Sequence, residues 1–362
     1  MVRSRRRRVV RIGYSRATAV CFLLSVSFTP VAPAAAQPQH VERVDVARVL
    51  VDARVVDNRG RPLLGLEPDD FVVRIDGKPA RVESALWAGG AAPSDELDPS
   101  VTPSAATTGL LEVGVRGRLI VFVVQKSLQG HRLPGLMSLL HESGSLLERL
   151  TPEDRIAVLS FDSHLKVWLD FTGDIDRVRT VLADELLFRQ PPPIFPGRRL
   201  SLVARLSQDL GRQTYSIEDA LRLIGNALEP LPGAKSVVLI GHGFGQVVAA
   251  LNRFGARLDR RYAEARASLQ DARAAVFSLD VTNAEYHTLA HGLQSASIET
   301  GGFYVRAYLS PPRAIERVTN ALVGHYVLFV EAPPGSPHGT HKIEVELAQT
   351  KGTVYARRDY VD

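Results

Sequence analysis

Leu119-Ile120-Val121-Phe122-Val123-Val124 is an unbroken apolar run. A strand of that composition has no polar face to offer water, so it must be covered on both faces, as the central strands of parallel sheets are. The pattern recurs downstream. Arg155 to Phe161, Leu165 to Phe171, Val237 to Ile240, Ala275 to Leu279 and Gly302 to Val305 read as further strands. Between them Leu136, Leu139, Leu140, Leu146, Leu147 and Leu150 recur at helical spacing. Asp174-Ile175-Asp176 and Ser216-Ile217-Glu218-Asp219 open helices with acids where a helix N-terminus favours them. Segments 257–272, Leu289 to Ile298 and Arg313 to Val323 read as helices too. Strands alternating with helices imply right-handed crossovers and an α/β class with a doubly wound, mostly parallel sheet. Residues 190–213, with Pro191-Pro192-Pro193 and Pro196, read as an inserted loop.

The flanks have a different period. Val49, Val51, Ala53 and Val55 alternate with Leu50, Asp52, Arg54 and Val56, and Phe71 to Ile75 is a second strand ending in the turn signal Asp76-Gly77. The tail returns to strand character over Tyr326 to Glu331, Lys342 to Leu347 and Thr353 to Arg357, with no helix between. These strands are expected to pair with the N-terminal ones, as a small β domain interrupted by the α/β domain. Residues 89–116, rich in Gly, Ala, Pro, Ser and Thr, read as a flexible linker. The expected organisation is a signal peptide over 1–36, an Ig-like β segment over 41–88, the linker, an α/β domain over 117–323 and a closing β segment over 324–362.

The formal charge of +5 suggests nucleic acid, and it misleads. Arg3, Arg5, Arg6, Arg7, Arg8, Arg11 and Arg16 lie in the first 36 positions, which hold no acid. Without them 37 basic residues face 39 acidic ones, a net charge of −2. The arginines precede the apolar run Ala17 to Phe28, then Pro30, Pro33 and Ala34-Ala35-Ala36, the order of a secretory signal. Export to the periplasm or beyond the cell is therefore expected, with no stable membrane span after cleavage. Cys21, the one cysteine, lies in that leader, so the remainder has neither disulfide nor thiol chemistry. A near-neutral chain also lacks the electrostatic footprint of a nucleic-acid binder.

In the N-terminal β segment, Val55, Asp57, Gly60, Pro62, Gly65-Leu66, Asp70-Phe71, Val73 and Asp76-Gly77 form a long spaced phrase. Thr300-Gly301-Gly302 stands before the last strand of the α/β region, and His341 to Val345 with Tyr355 to Tyr360 closes the chain. In these features and in element order the sequence resembles the secreted bacterial VWFA-related proteins, built on a von Willebrand factor A-like domain. The resemblance implies a binding face at the carboxyl ends of the strands. There a divalent cation is usually held by Asp-x-Ser-x-Ser, a later Thr and a later Asp. Here those positions fall on Gln125-Lys126-Ser127-Leu128-Gln129, on one of Thr214, Tyr215 or Ser216, and on His242. Only Ser127 is retained, and Lys126 adds a cation where hard metals want anionic oxygens. The expectation is an adhesion site without metal or cofactor, with partner-binding positions Gln125, Lys126, Ser127, Gln129, Thr214, Ser216 and His242.

Other chemistry lacks the residues it would need. His287 and His291 are spaced to share a helix face, but a zinc pair needs a third ligand. Gly241-His242-Gly243-Phe244-Gly245 lacks the Lys of a phosphate loop and the Ser of a nucleophile elbow. Ser127 with His242 suggests a nucleophile and base, yet no specific Asp orients them. The expected function is metal-free protein–protein interaction outside the cytoplasm, with no catalytic residue. The alternatives are a structural subunit acting by strand addition at 49–56 or 353–358, and a hydrolase with an unrecognised site.

Overall fold

The run Leu119 to Val124 forms the middle of strand β4 (Arg118–Gln125), and every side chain in it is fully buried. A computed structural model describes residues 48–89, 117–196, 200–206, 211–212, 214–250, 253–284, 287–333 and 338–361, all in one compact unit. The signal peptide read over 1–36 and the linker read over 89–116, apart from Gly89, lie outside these residues.

The α/β part is built on β4, β5 (Arg155–Phe161), β6 (Leu165–Thr172), β7 (Ala234–Gly241), β10 (Ala274–Asp280) and β11 (Tyr304–Arg306), in the order β11-β10-β7-β4-β5-β6. All neighbours are parallel except β6, which runs antiparallel to β5. The sheet is thus mixed, its irregular strand confined to one edge. Alternation along each strand feeds two cores. Ile120, Phe122 and Val124 face α1 (Leu133–Leu147), α2 (Ile175–Thr180) and α6 (Pro311–Leu322). Leu119, Val121 and Val123 face α3 (Ile217–Leu228), α4 (Arg260–Asp271) and α5 (Ala290–Glu299).

Strands from both ends of the described chain make a second, seven-stranded sheet in which all pairings are antiparallel. Its members are β1 (Arg48–Val56), β2 (Phe71–Ile75), β3 (Lys78–Gly89), β12 (Gly324–Glu331), β13 (Thr340–Leu347), β14 (Thr353–Ala356) and β15 (Asp359–Val361). β1 lies between β14 and β12, so it has no free edge for strand addition, and β14 terminates the sheet instead.

The spaced N-terminal phrase is used structurally. Asp57 Oδ1 accepts the N–H groups of Arg59 and Arg61, both at 2.8 Å, closing the turn after β1. Asp76 and Gly77 have φ of +50° and +76°, the left-handed pair that a tight hairpin between β2 and β3 demands. Asp76 also accepts the Lys342 N–H at 2.9 Å and contacts His341 Nδ1 at 2.7 Å, fastening this hairpin to β13. Tyr326 is buried in the β core against Phe71 and Trp87. Its hydroxyl donates to Leu63 C=O and accepts from Leu66 N–H, each at 3.0 Å.

Two stretches depart from the sequence reading. Part of the segment read as a loop over 190–213 is anchored: Asp170 Oδ2 accepts the Ser201 hydroxyl at 2.5 Å and Oδ1 the Leu202 N–H at 2.7 Å, with Leu202 fully buried. A hairpin of β8 (Gln246–Ala250) and β9 (Arg253–Arg257), not foreseen from sequence, precedes α4.

Tyr326→Phe keeps the ring and removes the partner of the half-buried Leu66 amide, 260 positions away in sequence, and of the Leu63 carbonyl. It should lower unfolding free energy by about 1–3 kcal/mol, read as a lower urea midpoint at unchanged slope.

Candidate functional site

β4 continues through α1 to β5 on one side, and its other neighbour β7 leads through α4 to β10 on the other. The carboxyl ends of β4 and β7 therefore flank the crevice where ligands of open α/β sheets gather. Gln125 fills it. Its Oε1 accepts the N–H groups of His242 (3.0 Å) and Gly243 (3.2 Å), and its Nε2 donates to Gly243 C=O (3.3 Å). A carboxylate could accept the first two bonds but could not make the third. A Cβ at position 241 would lie 2.2 Å from Gln125 Oε1, so glycine there leaves room for the Gln125 amide. Gln125 is thus a clamp between two strand ends and is not exposed to a partner.

The residues after it turn outward. The Lys126 N–H bonds Phe161 C=O at 2.8 Å, extending the β4–β5 ladder by one residue. Its ammonium stands 5.6 Å from the centre of the Trp168 ring, which is fully buried and donates to Ser160 Oγ at 2.8 Å. Burial lowers the Lys126 pKa, against the opposing pull of Asp162. Asp162 is itself engaged by Lys166 at 2.7 Å and by Ser163. Burial would raise its pKa, but these bonds outweigh it and hold it at about 2. Ser127 Oγ accepts the Gln129 N–H at 3.4 Å, and Gln129 C=O receives the Arg132 and Leu133 N–H groups at the start of α1.

Ser216 is the N-cap of α3: its hydroxyl accepts the Asp219 N–H (3.1 Å) and donates to Asp219 Oδ2 (3.0 Å). It caps a helix and leaves the crevice to others. Thr214 is buried, with its N–H on Gly211 C=O at 3.3 Å. Of the expected positions, the structure joins Gln125 to His242 and sets Lys126, Ser127 and Gln129 on the rim beside them.

Sequence reasoning missed the carboxylate at this end of the sheet. Asp280, the last residue of β10, is fully buried. Its Oδ1 accepts the Thr282 N–H at 2.9 Å, and its Oδ2 meets His287 Nε2 at 2.6 Å and the Tyr304 hydroxyl at 2.7 Å. Burial pushes its pKa up, but the bonds from His287 and Tyr304 prevail and keep it below the usual carboxylate range. An acid closing an apolar strand beside the crevice was the available signal. His287 precedes α5, which begins at Ala290, so it does not share a helix face with His291 as the spacing suggested. Among the described residues no cluster of three or more His, Asp or Glu side chains could hold a metal ion.

His242 faces this group. Burial and then the charge of Arg132 lower its pKa to about 4, so the ring is neutral at pH 7, and its Nδ1 has no hydrogen-bond partner among the described residues. No hydrogen bond joins Ser127 to His242 among them either, and the carboxylate that would orient a base holds His287 instead.

Exposed apolar side chains ring the same end. Leu128 follows β4, Tyr215 precedes α3, and Val247 and Val248 lie in the hairpin after β7. Their exposures are 68%, 78%, 56% and 40%.

The sequence matches no family model and no curated protein. Similar solved structures are von Willebrand factor A-type proteins among others. One is the vWF domain of the type V pili tip protein Mfa5 from Porphyromonas gingivalis, at 9% identity and TM-score 0.39, covering 58% of this chain and 96% of that one. A second is a von Willebrand factor type A protein from Catenulispora acidiphila, at 9% identity and TM-score 0.39, covering 83% and 74%. A third is an aerotolerance-related membrane protein from Bacteroides fragilis, at 16% identity and TM-score 0.37, covering 58% and 98%. At these scores the likeness carries nothing about residues or chemistry, which rest on the geometry above.

Gln125→Met should cost roughly 1–3 kcal/mol by leaving the His242 and Gly243 backbone groups unpaired, measured by urea unfolding. His242 binds a proton more readily unfolded, near pH 6.5, than folded, near 4. Stability contributed by this group should therefore fall as pH drops from about 6.5 to 4. Urea midpoints followed across that window should lose part of their slope in His242→Asn.

Proposed function

We propose that this chain is an exported, non-enzymatic protein of the von Willebrand factor A-like, doubly wound kind, which binds a protein partner through the carboxyl end of its sheet without a metal ion. The carrying observation is the Gln125 clamp. In this reading the crevice that would house a cation is closed by a neutral amide with both ends engaged. The residues at the site do not suit a hard divalent ion: Gln125 replaces the anionic ligand, Lys126 stands beside it, and Asp280 is committed to His287, Tyr304 and Thr282.

What a partner meets instead is a rim of one cation and several apolar side chains. Lys126 is the charged contact, Ser127 and Gln129 supply polar ones, and Leu128, Tyr215, Val247 and Val248 supply apolar area. Exposed apolar side chains gathered at one end of a fold mark interaction surfaces. Thr214, Ser216 and His242 support the rim from behind. The α/β domain over 117–323 interrupts a β domain formed by 41–88 and 324–362. Segment 1–36 directs export, to the periplasm or the cell exterior.

Two measurements test this. Thermal midpoints with EDTA and with added Mg²⁺, Ca²⁺ or Mn²⁺ should coincide, because a ligand of the folded state alone would raise them; a clear rise with any ion refutes the metal-free reading. Cross-linking to neighbours in the native envelope should yield a partner band that weakens at least about tenfold in Lys126→Glu and Leu128→Asp. Unchanged yield in both variants removes the rim from the binding surface.

A further inference from the structure

At the opposite end of the α/β sheet a buried cation has no ion-pair partner among the described residues. Along β1, Val49, Val51, Ala53 and Val55 enter the β core, which leaves Asp52 and Arg54 directed at the α/β layer. Asp52 is fully engaged: Arg273 contacts both of its oxygens, and His325 Nε2 lies 3.3 Å from Oδ1. Lys235 is also satisfied, its ammonium donating to Ala272 C=O at 3.0 Å. Arg54 differs. The residue is only 5% exposed, its Nε has no hydrogen-bond partner, and its guanidinium forms no ion pair among the described residues. Its close company is the Phe277 ring, 5.3 Å away. A buried guanidinium without an anion is costly, and such groups normally pair or coordinate.

Arg54 lines a cavity of about 560 Å³, within the ~300–1,000 Å³ typical of small-molecule sites. Arg118, Asp154, Ser236, Leu322 and His325 contribute to the wall, with small residues filling most of the rest. Arg118 and Asp154 are bound to each other, and Arg118 also donates to Leu322 C=O, so neither is free to neutralise Arg54. Glu153 lies at the rim and is exposed to solvent. The cavity thus offers one uncommitted cation, polar groups from Ser236 and His325, and an apolar wall at Leu322.

We propose that this cavity is a binding site for a small organic anion whose carboxylate or phosphate head pairs with Arg54 and whose carbon body lies against the small-residue wall. A guanidinium presents a planar fork of donors suited to either head group. The site is distinct from the partner rim, being at the other end of the strands.

The test uses the full chain and three probes of one chain length: hexanoate, hexyl phosphate and hexanol. Titration calorimetry should show saturable one-to-one binding of at least one anion, with a raised thermal midpoint, and none for the alcohol. A hexanoate response alone assigns a carboxylic acid, and a hexyl phosphate response alone a phosphate ester. Arg54→Met should weaken binding by at least about tenfold and should also raise the ligand-free midpoint, because it removes an unpaired buried charge. Arg54→Lys should keep part of the affinity. The proposal is overturned if neither anion saturates, if Arg54→Met binds as well as the parent, or if that variant melts lower without ligand, the mark of a structural role.

Discussion

The structure depends on strand β4. Hydrogen-bonded to β5 on one side and β7 on the other, it sends alternate side chains into the two cores that the sheet separates. Its six apolar residues satisfy both cores at once, which fixes helices on both faces of the sheet. Its last residue then falls between the strand ends of β5 and β7. Whatever chemistry stands at position 125 therefore decides what that crevice does, and here an amide with acceptor and donor both engaged sews the two strand ends together.

The two ends of the α/β sheet are electrostatically unlike. At the carboxyl end the buried carboxylate Asp280 is surrounded by His287, Tyr304 and the Thr282 amide, while the neutral His242 ring has an unpaired Nδ1 among the described residues. At the amino end Asp52 answers Arg273 and His325 while Arg54 forms no ion pair among the described residues. In the first the carboxylate has both oxygens engaged, which suits a scaffold beneath a binding rim. The second is short of one anion, and a cavity lies where that anion would sit.

Much of the architecture was legible in local pattern. Unbroken apolar runs became two-faced buried strands, and Ser216 with Asp219 became a helix cap, because each depends on neighbours within a few positions. The hairpin 246–257 escaped notice because Val247 and Val248 face solvent and supply no alternation to read. The pairing of His287 with Asp280 escaped for another reason. Seven positions of chain turn back to bring them together, and the i, i+4 spacing to His291 proposed a helix that starts only at Ala290.

Amino-acid identity by itself determined that position 125 carries no charge and position 126 carries a cation, since a missing carboxylate needs no coordinates to be seen. It also determined the two periodicities, helical and alternating, that separate the α/β region from its β flanks. The tertiary structure alone decided that Gln125 clamps a loop more than a hundred residues away, that Asp280 is committed to His287 and Tyr304, and that Arg54 is buried with no ion pair among the described residues. A side chain's hydrogen-bonding capacity is written in its type. Whether that capacity is met depends on which distant backbone and side-chain groups the fold brings within about 3 Å of it.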